Sequence, residues 1–251
     1  YYEAKSGKDA VLWLKRQWEE MTKGRNDINV ELVSHNWTQP SLILTWKGTD
    51  FPQEVFILGG HIDSINHNTD ETDFIAPGAD DNASGIATLT EVLRVLVNQS
   101  FSPRRTLKFM AYAAEEVGLL GSHEIASKAK KNKLNVKGVL QFDMTNFMGP
   151  DWNIVLIDDY TNKPQNEFLA ELIDRYVKVP WGYGRCGYAC SDHASWTNEG
   201  YPASFPFEAK MRYSNHHIHT DHDTLANMGG TTSPATNFAK LGIAFVIGVQ
   251  N

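Results

Sequence analysis

The sequence predicts an α/β protein: a three-layer α/β/α sandwich around a mostly parallel mixed central sheet. Short apolar runs at 54–58, 106–113, 136–144 and 152–157 alternate with segments of helical period, the pattern of a parallel sheet covered by helices on both faces. Two runs of alternating polarity, 28–34 and 41–46, precede them and read as antiparallel strands at the sheet edge. Histidines and acidic residues recur at the ends of the apolar runs, where ligands bind in such sheets.

A helix is expected over 6–23, because Val11, Leu14, Trp18 and Met21 recur at helical spacing and Ser6 with Asp9 forms a plausible capping pair. The strand at 54–58 ends in Gly59-Gly60. A helix follows over 82–98, then the strand at 106–113 and a helix over 119–131. The strand at 136–144 contains Asp143, and 152–157 is the fourth apolar strand. A helix over 165–178 presents Phe168, Leu169, Leu172, Ile173 and Tyr176, and the apolar run 241–249 closes a buried C-terminal helix.

No repeat, low-complexity tract or linker interrupts the chain, so residues 1–251 are read as a single domain, long enough for a substantial core. A net charge of −7 argues against a nucleic-acid partner. The run 241–249 falls well short of the ~18 to 20 apolar residues a membrane span needs, so no membrane partner is expected. The chain opens at Tyr1 without an initiator Met, which reads as processing.

Five segments carry chemistry. In Gly59-Gly60-His61-Ile62-Asp63-Ser64, a His ends a buried strand and a carboxylate two residues on is able to orient its imidazole. Asp80 and Asp81 lie side by side at a helix start; capping explains one acid better than two, and a cation would relieve their repulsion. Glu115 and Glu116 interrupt an apolar strand and loop, so that one is able to bind a metal while the other moves a proton. Asp143 sits in a hydrophobic strand, where an unpaired carboxylate is costly and calls for a metal or a buried cation. His216, His217, His219 and His222 crowd one loop, and composition does not choose among them. Cys186 and Cys190 could be a disulfide, half of a metal site with Asp192 and His193, or free thiols; the lack of any other cysteine favours the disulfide.

Taken in order, GGHIDS, APGADDNASG, AYAAEEVGLLGS, QFDMTN, CGYACSDHASW and IHTDHDT resemble the co-catalytic zinc aminopeptidases of the bacterial leucyl aminopeptidase type, over nearly the whole chain. The resemblance implies a zinc-exopeptidase-like fold and two zinc ions. His61 and Asp143 are implied as terminal ligands of one ion, Glu116 and His219 of the other, and Asp81 as the bridge. Glu115 is implied as general acid/base toward a metal-activated water and Asp63 as the partner of His61, with a cis peptide at Asp81-Asn82. It also implies a Cys186–Cys190 disulfide loop carrying Tyr188, and an apolar pocket of Met144, Ile157, Cys186, Tyr188, Cys190, Phe205, Phe207 and Ile218. Such a pocket suits large hydrophobic, Leu-like residues at the free N-terminus of a peptide. A monomer, secreted from a bacterium and then processed, is expected.

Two features depart from the pattern. Residues 210–214 replace aromatics expected at the pocket mouth, and the chain begins later than full-length relatives. Competing readings are a carboxypeptidase, with Arg185 or Arg212 receiving a terminal carboxylate, a glutaminyl cyclase-like acyl transferase, and a non-catalytic binding ectodomain. The complete ligand set with Glu115 speaks against the last two.

Overall fold

The computed structural model describes residues 1–68 and 75–250. Its strands are β1 (Ile28–Val33), β2 (Ser41–Trp46), β3 (Phe51–His61), β4 (Arg105–Tyr112), β5 (Asn135–Gln141), β6 (Ile154–Ile157), β7 (Trp181–Gly184), β8 (Ala203–Ser204) and β9 (Pro206–Phe207). Its α-helices are α1 (Lys5–Met21), α2 (Ala83–Asn98), α3 (Leu120–Lys131), α4 (Lys163–Leu172), α5 (His193–Asn198) and α6 (Ala235–Gly248).

Helix α1 buries Val11, Leu14 and Trp18, as their spacing requires. Ser6 and Asp9 do not cap it: Ala4 occupies the N-cap without a side-chain hydrogen bond, and Asp9 pairs with Lys5 on the exposed face.

The main sheet has the order β1-β2-β4-β3-β5-β8. The pairs β1–β2 and β2–β4 are antiparallel, whereas β4, β3, β5 and β8 run parallel. Strand β2 therefore lies inside the sheet, not at its edge, and every residue but Thr45 is buried. Leu42, Leu44 and Trp46 join the core beneath α1, α2, α4 and α6, while Ile43 joins the core beneath α3 and α5. Alternation along a strand thus feeds two apolar layers, and the sandwich has its three layers.

The apolar run at 152–157 is not a fourth strand of this sheet. β6 pairs in parallel with β7 and antiparallel with β9 in a separate three-stranded sheet. Burial on all sides explains its apolar sequence, and a fully apolar run carries no mark of which sheet it joins.

Strand β3 precedes its neighbours in sequence, with β4 on one side of it and β5 on the other. The order in which successive strands are added across the sheet reverses there, opening a crevice beyond the carboxyl ends of these parallel strands. Close packing at this point requires glycine. A Cβ on Gly60 would stand 2.7 Å from the Phe142 carbonyl oxygen, and one on Gly85 2.5 Å from the same atom.

Candidate metal centre

His61 is the last residue of β3, registered opposite Tyr112 on β4. Two residues beyond β5 comes Asp143, just outside the strand in which the sequence put it. Glu115 and Glu116 lie in the turn between β4 and α3, and Asp81 stands before α2, joined to Asn82 by a cis peptide bond. His219 arrives from the loop preceding α6. Residues separated by up to 158 positions thus meet at the crevice.

They form two groups that share one member. His61, Asp81 and Asp143 each offer a ligand atom within 4.8 Å of the others, as do Asp81, Glu116 and His219. His61 Nε2 lies 3.0 Å from Asp81 Oδ1 and 3.3 Å from Asp143 Oδ1. His219 Nε2 lies 3.0 Å from Asp81 Oδ2 and 2.9 Å from Glu116 Oε2. Asp81 therefore presents one oxygen to each group.

The donor chemistry fits zinc: imidazole nitrogens and carboxylate oxygens, without thiolate. Glu116 Oε1 is buried without a hydrogen-bond partner, so a donor atom stands ready. The other histidines of the loop belong to neither group among the described residues.

Electrostatics without metal show the cost of this concentration of charge. Burial raises the Glu115 carboxyl well above its ordinary range. Burial, then the charge of Asp81, pushes Glu116 up to about 8. On His219 burial favours the neutral ring, but hydrogen bonds to Asp81 and Glu116 prevail and lift it to about 10. The same contest raises His61, where the charges of Asp143 and Glu115 overcome burial. For Asp81, burial is outweighed by hydrogen bonds from His219 and His61, which hold it below the usual carboxylate range.

A buried polar frame holds these groups. His61 Nδ1 faces Asp63, 3.2 Å from its backbone oxygen and 3.6 Å from Oδ1. The Asp63 carboxylate accepts the backbone N–H groups of Glu115 at 3.0 Å and Glu116 at 3.3 Å. It thereby fixes the turn carrying both glutamates as well as facing His61. Ser191 donates to Asp143 Oδ2 at 2.7 Å. Asn82 donates to the His61 and Phe142 carbonyls and accepts from the amides of Gly85 and Met144. Its role is thus wider than the N-cap of α2 that it also forms.

Sequence reasoning missed Asp223. Its buried carboxylate accepts the amides of Asp80 and Asp81 and the side-chain amide of Asn215. It ties Asp81, the member common to both donor groups, to the loop bearing His219. Asp80 turns away from the donor groups and accepts from Asn146 and Asn215. Glu208, fully buried, accepts the amides of Phe147 and Asn215. The second acid of Asp80-Asp81 and the run Thr220-Asp221-His222-Asp223 were visible signals, but not which acids turn inward.

A cavity of about 350 Å³ adjoins the donors, bringing Asp81, Glu115, Glu116, Asp143 and His219 against Met144, Cys186, Tyr188, Cys190, Phe205, Phe207 and Ile218. Ile157 does not line it; fully buried, it packs behind the lining in the same apolar cluster. From the 210–214 segment, Met211 and Ser214 reach the cavity, whereas the Arg212 guanidinium lies over the Tyr213 ring. Cys186 and Cys190 form a disulfide. A larger groove of about 700 Å³ between α1 and α2 has no histidine among its described lining residues.

Comparison with known proteins identifies the scaffold. The model of peptidase family M28 matches residues 41–243. A probable aminopeptidase of Saccharomyces cerevisiae is 36% identical over 234 residues, covering 90% of this chain and 62% of that protein. Leucine aminopeptidase 1 of Paracoccidioides brasiliensis is 36% identical over 239 residues, covering 90% and 61%. The crystal structure of the LapA aminopeptidase of Legionella pneumophila superposes with a TM-score of 0.90 at 36% identity, covering 99% of this chain and 66% of that one. The chain spans about three fifths of the length of these curated relatives. By the family match across most of its length, and by a fold that superposes on part of LapA over 99% of this chain, the chain belongs to peptidase family M28.

Proposed function

We propose that this chain is a secreted zinc aminopeptidase that removes large hydrophobic residues from the free N-terminus of peptides. The observation that carries the reading is the cavity itself, which joins both donor groups to an apolar floor and has no Lys or Arg among its described lining residues.

His61, Asp81 and Asp143 would hold one zinc ion and Asp81, Glu116 and His219 a second. When bound, the ions would supply Lewis acidity for the scissile carbonyl and lower the pKa of the attacking water. Glu115 belongs to neither donor group yet lines the same cavity. Its carboxylate accepts the proton of the attacking water and returns it to the leaving amine. Asp63 holds the Glu115 amide and so limits where that carboxylate points. Asp143 and Glu115 offer negative charge to the α-ammonium of the substrate. Met144, Phe205, Phe207 and Ile218 receive its first side chain, with Tyr188 at the mouth.

A carboxypeptidase would need a cation for the terminal carboxylate. Arg185 is occupied by Asp158 at 2.6 Å, Arg212 by the Tyr213 ring, and neither lines the cavity. The disulfide and the leucine aminopeptidase relatives support secretion.

The test is hydrolysis of leucine-p-nitroanilide with zinc content determined. Wild type should carry two zinc ions and turn over. Glu115→Gln should keep the metal and lose about 10²- to 10⁴-fold in kcat. A zinc-loaded wild type inert toward all free N-termini would defeat the proposal.

A further inference from the structure

The outer wall of the cavity is the short ring closed by Cys186 and Cys190. The ring is packed on one side only: Cys186 and Cys190 rest against the cluster of Met144, Phe205 and Phe207, while Tyr188 is 59% exposed and Gly187 adopts φ +85°, a left-handed conformation suited to glycine. The disulfide restrains the internal shape of the ring but not its tilt over the cavity.

Among the described residues, one side chain accepts hydrogen bonds from two of the ring's backbone amides. Asp159, in the loop after β6, accepts the Cys186 amide at Oδ1 (3.1 Å) and the Gly187 amide at Oδ2 (2.6 Å). Two consecutive N–H groups converging on an anion form a nest, and bonds to an ionised acceptor are stronger than neutral ones. The Asp159 loop is anchored in turn, because the preceding Asp158 donates its amide to Gly184 on β7 at 2.9 Å. The neighbouring Arg185–Asp158 pair is largely exposed and adds little. Asp159 neither lines the cavity nor belongs to a donor group.

We propose that Asp159 is a specificity-determining positioning residue, holding the disulfide ring and Tyr188 in the tilt that encloses the first side chain of the peptide. The inference rests on the aminopeptidase reading above. A leucyl side chain is three carbons larger than an alanyl one, so it is expected to depend more on a wall formed by the ring. Freeing the ring lowers the fraction of enzyme ready to enclose leucine without touching the groups that move protons.

The experiment compares zinc-loaded wild type, Asp159→Ala and Asp159→Asn on leucine- and alanine-p-nitroanilide, with zinc content and Tm recorded. Asp159→Ala should raise KM for the leucyl substrate about tenfold, the effect of a tenfold smaller competent fraction. Both kcat and the alanyl KM should stay within about twofold, with zinc unchanged. Asp159→Asn keeps one acceptor oxygen and should fall between, and it carries the test if the alanine variant does not fold. Equal shifts for both substrates, an unchanged leucyl KM, or a fall in kcat and zinc at constant KM would overturn the assignment. A wild type that cleaves neither substrate would remove the aminopeptidase reading and this inference with it. An active wild type matched by both variants would remove this inference alone.

Discussion

Replacing Asp223 by alanine tests whether the metal centre depends on a residue that touches no metal. Asp223 is 1% exposed. Its carboxylate accepts from Asp80 N at 3.1 Å, from Asp81 N at 3.0 Å and from Asn215 Nδ2 at 3.2 Å. Alanine would strand the two backbone donors and, of the two acceptors of the Asn215 side-chain NH2 given by the described residues, leave Asp80. A buried donor without a partner costs about 1 kcal/mol or more, so the loss should be about 3 kcal/mol. For a chain of this size that corresponds to a Tm lower by about 6 to 12 °C. Removing a negative charge beside Asp80 and Asp81 offsets part of the loss in the metal-free chain, so the measurement belongs to the zinc-loaded protein. Because Asp81 is common to both donor groups, zinc affinity should fall about 10- to 100-fold. The assay is thermal unfolding together with zinc competition against a chelator of known affinity. A variant with wild-type Tm and zinc affinity would refute the reasoning, since the Asp81 backbone would then be held by other means.

Three further outcomes follow from the same geometry. Ser191→Ala removes the 2.7 Å donor to Asp143 and should weaken zinc binding about tenfold while leaving the fold intact; unchanged affinity in a chelator titration would speak against it. In the metal-free chain, Glu116 is raised from 4.5 to about 8 and His219 from 6.5 to about 10. Both folded values lie above the unfolded ones, so stability is fullest below the unfolded values and lost as pH rises through the folded ones. Tm in chelator should therefore fall between pH 6 and 9, and the stabilisation by zinc should grow over that range; a rising metal-free Tm contradicts this. Gly60→Ala places a Cβ against the rigid Phe142 carbonyl and should lower Tm by several degrees, or block folding, as read by circular dichroism; a neutral effect would mean that β3 and β5 are free to separate.

The layered α/β architecture could be read from period and spacing, because a buried parallel strand and an amphipathic helix each need their own repeat of apolar residues. The motifs around His61, Asp81, Glu115, Glu116 and Asp143 were legible for a related reason: each lies at or just beyond the end of a strand or, for Asp81, at the start of a helix, so local sequence and sheet geometry agree on where it sits. Donor types alone pointed to a metal, and the resemblance of the motifs to a known family pointed to zinc. Other features depend on contacts between distant segments, on which local sequence is silent. Asp223 and Glu208 accept amides from partners that only folding brings near. The strand β6 joins a second sheet because its hydrogen-bond partners come from 181–184 and 206–207. Ile157 stands behind the pocket wall, and Asp159 under the disulfide ring, for reasons of orientation that composition does not encode. Local residues specify periodicity and chemical type, whereas facing, depth and partnership are set by the packing of segments far apart in the chain.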